Sequence, residues 1–153
     1  MKYVWKDYST EYSSIVQLFF DSEAISMTGL DESFENYVSA VIDDNANYPG
    51  AKDYFKVIFE ENIPIAVVAY GMYEGIVTIA EIVVALNERG KGKGTQIICE
   101  LLDMCTTSAN NDIKQFRTVI FPNNIASQRA FEKAGFRFES AHEDGDAWYY
   151  VYE

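Results

Sequence analysis

A chain of 153 residues, 48% of them hydrophobic, has the length of one ordinary domain and enough apolar side chain for a core, which excludes a disordered chain. Its formal net charge is −12, from 24 acidic and 12 basic residues, which argues against general binding to nucleic acid or to an anionic membrane. No apolar run approaches the roughly 18 residues of a membrane span, and two cysteines with one histidine leave no zinc-ligand spacing, so no metal is expected.

Lys2 to Asp7 read as a short opening strand. Tyr12, Ile15, Val16 and Phe19 then recur at helical spacing. The stretch SEAISMTGL, residues 22–30, reads as a loop around Gly29. Asp31 is an N-cap candidate for a second helix that carries Phe34, Tyr37, Val38, Val41 and Ile42 on one side. Another loop follows at Asn45 to Lys52.

The pattern then changes to strands: Tyr54 to Glu60, a turn at Asn62-Ile63-Pro64, Ile65 to Met72, a turn at Glu74-Gly75, and Ile76 to Leu86. The last of these is apolar on both faces, which predicts a central strand covered on both sides. The following helix sets Ile98, Leu101, Leu102 and Cys105 on one stripe, and gives way near Asn110-Asn111. Cys99 and Cys105 both fall on its apolar side and read as reduced core residues. With no signal-peptide pattern at the N-terminus, they predict a cytoplasmic protein. Gln115 to Phe121 is a further strand. Asn123 or Asn124 caps a helix that ends near Gly135, and two strands joined by Asp144-Gly145 close the chain. The order β-α-α-β-β-β-α-β-α-β-β predicts a single α+β domain over residues 1–153, built on a mixed, mostly antiparallel sheet flanked by helices.

Between the central strand and its helix runs Arg89, Gly90, Lys91, Gly92, Lys93, Gly94, Thr95. The first turn of a helix has free N–H groups and the positive end of the dipole, so it favours an anion. Glycines let the backbone approach that anion, and three cations lie within five residues of an acidic chain. The pattern suits a pyrophosphate. It is not a nucleotide P-loop, because Gly94 is followed by Thr95 and not by Lys-Ser/Thr. It is not a dinucleotide fingerprint either, because Thr95 stands where a third glycine is needed. A plain nucleotide-binding protein is therefore disfavoured.

Arg89, Gly92 and Gly94 form Arg-x-x-Gly-x-Gly, which resembles the acyl-CoA pyrophosphate loop of the GCN5-related N-acetyltransferase (GNAT) family. One helix and one strand later, Asn124, Ser127, Phe131, Gly135 and Phe136 resemble that family's second signature, Asn-x-x-Ala/Ser-x-x-x-Tyr/Phe-x-x-x-Gly-Phe. The two motifs span residues 76 to 138. The resemblance implies acetyl-CoA as cosubstrate and direct acetyl transfer to an amine of a small molecule or peptide. It implies that the central strand and its neighbour splay apart and that the pantetheine arm pairs with the backbone of Ile82, Val83 and Val84. The diphosphate would sit on the amides of residues 89 to 95. Asn124 and Ser127 would face the pantetheine, and Phe131 the thioester sulfur. A backbone N–H near Val84 would polarise the carbonyl. A homodimer is left open.

Two positions depart from the family. Phe131 stands where many members have a tyrosine that protonates the leaving thiolate. Thr78 stands where several carry the general base. Glu81 is the nearest carboxylate on the strand and is the candidate base, with substrate orientation as its alternative role. Strand alternation puts it on the face opposite Thr78 unless a bulge shifts the phase. Tyr149, Tyr150 and Tyr152 are candidates for the acceptor pocket or for ordinary packing, and His142 reads as a surface residue. The departures at Phe131 and Thr78 keep a second function open, an acyl-CoA-binding sensor with weak or no catalysis.

Overall fold

The computed structural model describes residues 2–28, 34–43, 50–107, 112–143 and 145–153. Seven strands form one sheet: β1 Val4–Asp7, β2 Lys52–Glu60, β3 Ile63–Tyr73, β4 Ile76–Val84, β5 Gln115–Ile120, β6 Arg137–Ala141 and β7 Trp148–Tyr152. Their order is β1-β2-β3-β4-β5-β7-β6. Every pair of neighbours is antiparallel except β4 and β5, which run parallel. The helices are α1 Ser13–Phe19, α2 Ser22–Thr28, α3 Phe34–Asp43, α4 Lys93–Thr107 and α5 Ile125–Lys133.

The predicted α+β class and mostly antiparallel sheet agree with this architecture, but the predicted element order lacks one helix. Ser22–Thr28, expected as a loop, is α2. It starts because Asp21 caps it: Asp21 Oδ1 accepts from Ala24 N at 2.9 Å. The expected Asp31 cap, the Asn45–Pro49 part of the second loop, the Asn110-Asn111 stop and Asp144 of the last turn lie outside the described residues. No described helix is long and apolar enough to cross a membrane.

Two cores sandwich the sheet. One packs Val68, Val77, Ile79, Phe116 and Phe136 against Ile97, Ile98 and Leu101 of α4 and Phe131 of α5. The other packs Val57, Val67, Ala69 and Val83 against Val16, Phe19, Phe34 and Tyr37 of α1 and α3. β4 contributes to both, as an apolar strand with two covered faces should. Each fully buried aliphatic side chain contributes about 1.5–3 kcal/mol.

Cys105 is buried in this core, but Cys99 is exposed, so the stripe of α4 does not include it. The polar residue that α4 does bury is Glu100. Its carboxylate accepts from Lys2 N at 2.9 Å, Tyr3 N at 3.1 Å and Trp5 Nε1 at 3.0 Å, and so fixes the start of β1. Three donors satisfy the buried charge. Gly135 follows α5 with φ of +106°. A Cβ there would stand 2.9 Å from Tyr152 Cε2, so glycine is required on both counts.

Candidate active site

The site begins with one surplus residue in β4. Tyr70 pairs with Ile79 and Ala69 with Glu81, so Ala80 has no partner across the ladder. This is a β-bulge, and it resets the alternation of side chains. Val77 and Ile79 face the α4/α5 core, whereas Val83 and Ala85 face the core beneath α1–α3. Thr78 and Glu81 therefore share one face. The expected opposition between them holds only for an unbroken strand, and the bulge overturns it.

The same place ends the pairing of β4 with β5. The parallel ladder runs from Ile76 with Gln115 to Ile79 with Thr118, where Thr118 Oγ1 donates to Ile79 O at 3.0 Å. Beyond it the strands part around a narrow cleft of about 60 Å³. Glu81 and Ile82 line it from β4, Val119 to Phe121 from β5 and its end, and Asn124, Ser127 and Phe131 from α5. Met27 of α2 lines it too. A larger groove of about 890 Å³ between β1–β3 and the end of α4 shares no lining residue with this cleft.

The edge that β4 offers to the cleft follows from its other partner. Ala85 N donates to Ile65 O at 2.8 Å, and Val84, Val83 and Ile82 continue that register opposite Ala66, Val67 and Val68. In an antiparallel pair, bonded and non-bonded positions alternate, so Val83 spends its backbone groups on β3. Ile82 and Val84 turn theirs to the open side. Of the trio expected to pair with pantetheine, these two have backbone groups that β3 does not take. The Val84 carbonyl is also taken, because Arg89 Nε donates to it at 2.8 Å, which leaves the Val84 N–H and both groups of Ile82.

Burial alone pushes the Glu81 carboxyl up to about 8. Tyr37 of α3 feels its charge, and the Tyr37 hydroxyl is buried without a hydrogen-bond partner among the described residues. Burial raises the Tyr37 phenol first, and the Glu81 charge raises it further. Neither residue was paired by sequence reasoning, since only the bulge brings Glu81 to the face of α3.

Phe131 is buried, with its ring centroid 5.0 Å from that of Phe136, edge to face. It offers no proton at the position of the family's usual acid. Asn124 caps α5, its Oδ1 accepting from Ser127 N at 3.2 Å. The predicted pair is thereby held together at the cleft mouth. Gln128 Nε2, missed in the sequence, donates to Pro122 O at 2.9 Å and to Phe121 O at 3.3 Å, and fixes the turn between β5 and α5. The last-strand tyrosines do not line the cleft: Tyr150 donates to Glu132 at 3.3 Å, and Tyr152 packs on Phe116 and Phe136. His142 is exposed, with Nδ1 3.8 Å from Asp146.

The glycine loop opens α4 as expected. Gly90 and Gly92 both have φ of +77°, and nothing lies within 4 Å of a Cβ built on either. Gln96 N donates to Gly92 O at 3.2 Å, the first bond of the helix. The N–H groups of Lys93, Gly94 and Thr95 precede any helical acceptor, and the first turn presents them outward. Gly94 sits against α5, with Ala130 Cβ 3.9 Å from its would-be Cβ.

The three cations behave differently from one another. Arg89 turns away from the glycines to Val84 O, Asp21 and Phe19 O. Lys93 lies between Glu60, at 2.5 Å, and Glu88, and both carboxylates raise its affinity for the proton. Lys91 is mostly exposed, 3.9 Å from Glu88. Of the three cations expected around an anion, acidic neighbours hold Arg89 and Lys93, and Lys91 is the most exposed.

Comparison with known proteins agrees with this geometry. A model of the acetyltransferase (GNAT) family matches residues 6–136. An uncharacterized N-acetyltransferase, YobR of Bacillus subtilis, is 31% identical over 94 residues, which cover 61% of this chain and 36% of that protein. The aligned part thus spans about a third of that relative's length. The aminoglycoside acetyltransferase AAC(6')-Ib in complex with coenzyme A superposes with a TM-score of 0.77 at 16% identity, over 98% of this chain and 94% of that one. The spermidine N-acetyltransferase of Vibrio cholerae with CoA and spermine does so with a TM-score of 0.77 at 13% identity, over 99% and 95%. At such identities the two structures speak for the fold alone. With the family model over most of its length and both signatures on the expected elements, the chain belongs to the acetyltransferase (GNAT) family.

Proposed function

We propose that this protein is an acetyl-CoA-dependent N-acetyltransferase acting directly on an amine of a small molecule or peptide. The observation that carries the reading is the coincidence at Ala80: one bulge opens β4 from β5 and turns Glu81 into the resulting cleft. Acetyl-CoA supplies the acyl group, with the new N–C bond forming as the C–S bond breaks and the thiolate leaves. The amides of residues 92–95 would hold its diphosphate, and Ile82 and Val84 its pantetheine arm. The Val84 N–H is the donor available to polarise the carbonyl.

Glu81 takes the proton that the attacking amine gives up, directly or through water. A carboxyl held near 8 is mostly protonated in the free protein at neutral pH. An arriving ammonium favours its ionised form, so the acceptor itself prepares the base. A net charge of −12 attracts such a cation. Polyamines and aminoglycosides, the acceptors named for two proteins of the same fold, are the first to try. We place the reaction in the cytoplasm.

Phe131 in the acid's position favours one other reading, a CoA-binding sensor without turnover. An amine panel incubated with acetyl-CoA separates the two by mass spectrometry. The enzyme yields an acetylated amine from at least one of polyamines, aminoglycosides, amino acids and peptides. A sensor binds CoA and yields none.

A further inference from the structure

Among the described residues the Arg89 guanidinium makes four hydrogen bonds, and none goes to the glycine loop that it begins. Nε donates to Val84 O at 2.8 Å, Nη1 to Asp21 Oδ2 at 3.1 Å, and Nη2 to Phe19 O at 3.2 Å and Asp21 Oδ1 at 3.3 Å. Glu23 stands 4.0 Å from Nη1. The groups it gathers belong to three elements. Val84 ends β4 beside the cleft. Phe19 ends α1. Asp21 caps α2, through its bond from Ala24 N. One turn further on, α2 presents Met27 to the cleft, on the side of Glu81.

We propose that the Arg89 side chain is not a phosphate ligand but a tie between the two substrate sites, fixing α2 and Met27, the acceptor-side wall, to the end of β4 and the start of the CoA loop. This rests on the acetyltransferase reading of the cleft. The planar fork suits the task, since it can hold a carboxylate and two carbonyls at once where a lysine could not. α2 has only seven residues and could not keep its place unaided. The acceptor wall is thereby set by a residue of the CoA motif. An amine then meets a formed pocket only when β4 and the loop are in place. Arg89 is in this account a positioning residue.

Two variants test the tie. Arg89→Met removes the fork and keeps much of its bulk. Asp21→Asn keeps a good helix cap and removes the ion pair, and it leaves the loop sequence intact if Arg89→Met folds poorly. Calorimetric titration with CoA should give dissociation constants within about 3-fold of wild type for both, because neither touches the loop amides. Gly92→Asp serves as the control, with a loss of at least about 10-fold expected from a like charge and a Cβ at positive φ. Amides of residues 24–27 should exchange hydrogen about 10-fold faster in both variants. With the amine that the panel identifies, the amine KM should rise while the acetyl-CoA KM stays. A CoA affinity lost as far as in Gly92→Asp makes Arg89 a phosphate ligand and overturns the proposal. So does α2 exchange at the wild-type rate, or an unmoved amine KM. If wild type neither binds CoA nor acetylates any amine, the acetyltransferase reading fails, and α2 exchange still decides whether the tie exists.

Discussion

Glu81 is a carboxyl without a hydrogen-bond partner among the described residues, on a strand whose neighbours are apolar. Its proton affinity has one cause, burial, and that gives the residue two measurable signatures. In catalysis, kcat/KM reports the free enzyme, so its acidic limb should fall near pH 8. Glu81→Gln should erase that limb and cost on the order of 10²-fold in rate. In stability, the folded form binds the proton more tightly than the unfolded chain, whose carboxyl titrates near 4.5. The contribution is therefore fully present below about pH 4.5 and is lost as pH rises through about 8. Thermal melts from pH 5 to 9 should show wild type losing ground to Glu81→Gln, by roughly 5 °C or more at the alkaline end. Parallel melting curves with an unchanged rate profile would place the base elsewhere. Phe131 shows the complementary situation. Its ring is buried against Phe136 and carries no proton to donate, so in the proposed reaction water or the thiolate's own stability would serve.

At the scale of elements, the decisive feature is the extra residue in β4. Were the strand to alternate unbroken through Ala80, either Val77 and Ile79 or Val83 and Ala85 would leave their cores. Deleting Ala80 joins Ile79 to Glu81 with every core side chain on its present face, so it should cost less in urea unfolding than deleting Thr78, which turns Val77 or Ile79 out of its core and should cost about 1.5–3 kcal/mol. Ala80→Ser, at an exposed position, should stay within about 0.5 kcal/mol of wild type. Equal cost of the two deletions would contradict the role given to the bulge. This feature was named in the sequence only as an exception that would matter, because a bulge depends on the partner strand's register and leaves no residue signature here. The helices and strands with clear periodicity were legible, as were the loop at Gly90–Gly94 and the Asn124 cap. α2 was not: SEAISMT has two serines and a threonine and too few apolar residues for a stripe. It is a helix because Asp21 caps it and Arg89, 68 residues away in sequence, holds that cap. The three cations were legible as a cluster, but their partners Asp21, Glu60 and Glu88 come from elements distant or adjacent in ways that composition does not reveal.

For the whole molecule, the proposed function requires a chain of net charge −12 to admit two unlike substrates. The acidity suits a cationic acceptor and opposes CoA, so an anion must be held by a local arrangement strong enough to prevail. Carboxylates already pair with Arg89 and Lys93, so under the proposed function the amides at the start of α4 are the principal holders of the diphosphate. That is the central claim, and a calorimetric titration of CoA into wild type and Gly92→Asp tests it most directly. The account predicts saturable one-site binding to wild type and an affinity at least about 10-fold weaker in the variant, with both proteins melting as folded domains. Equal affinity in the two would contradict it, and would move the CoA site away from the glycine loop.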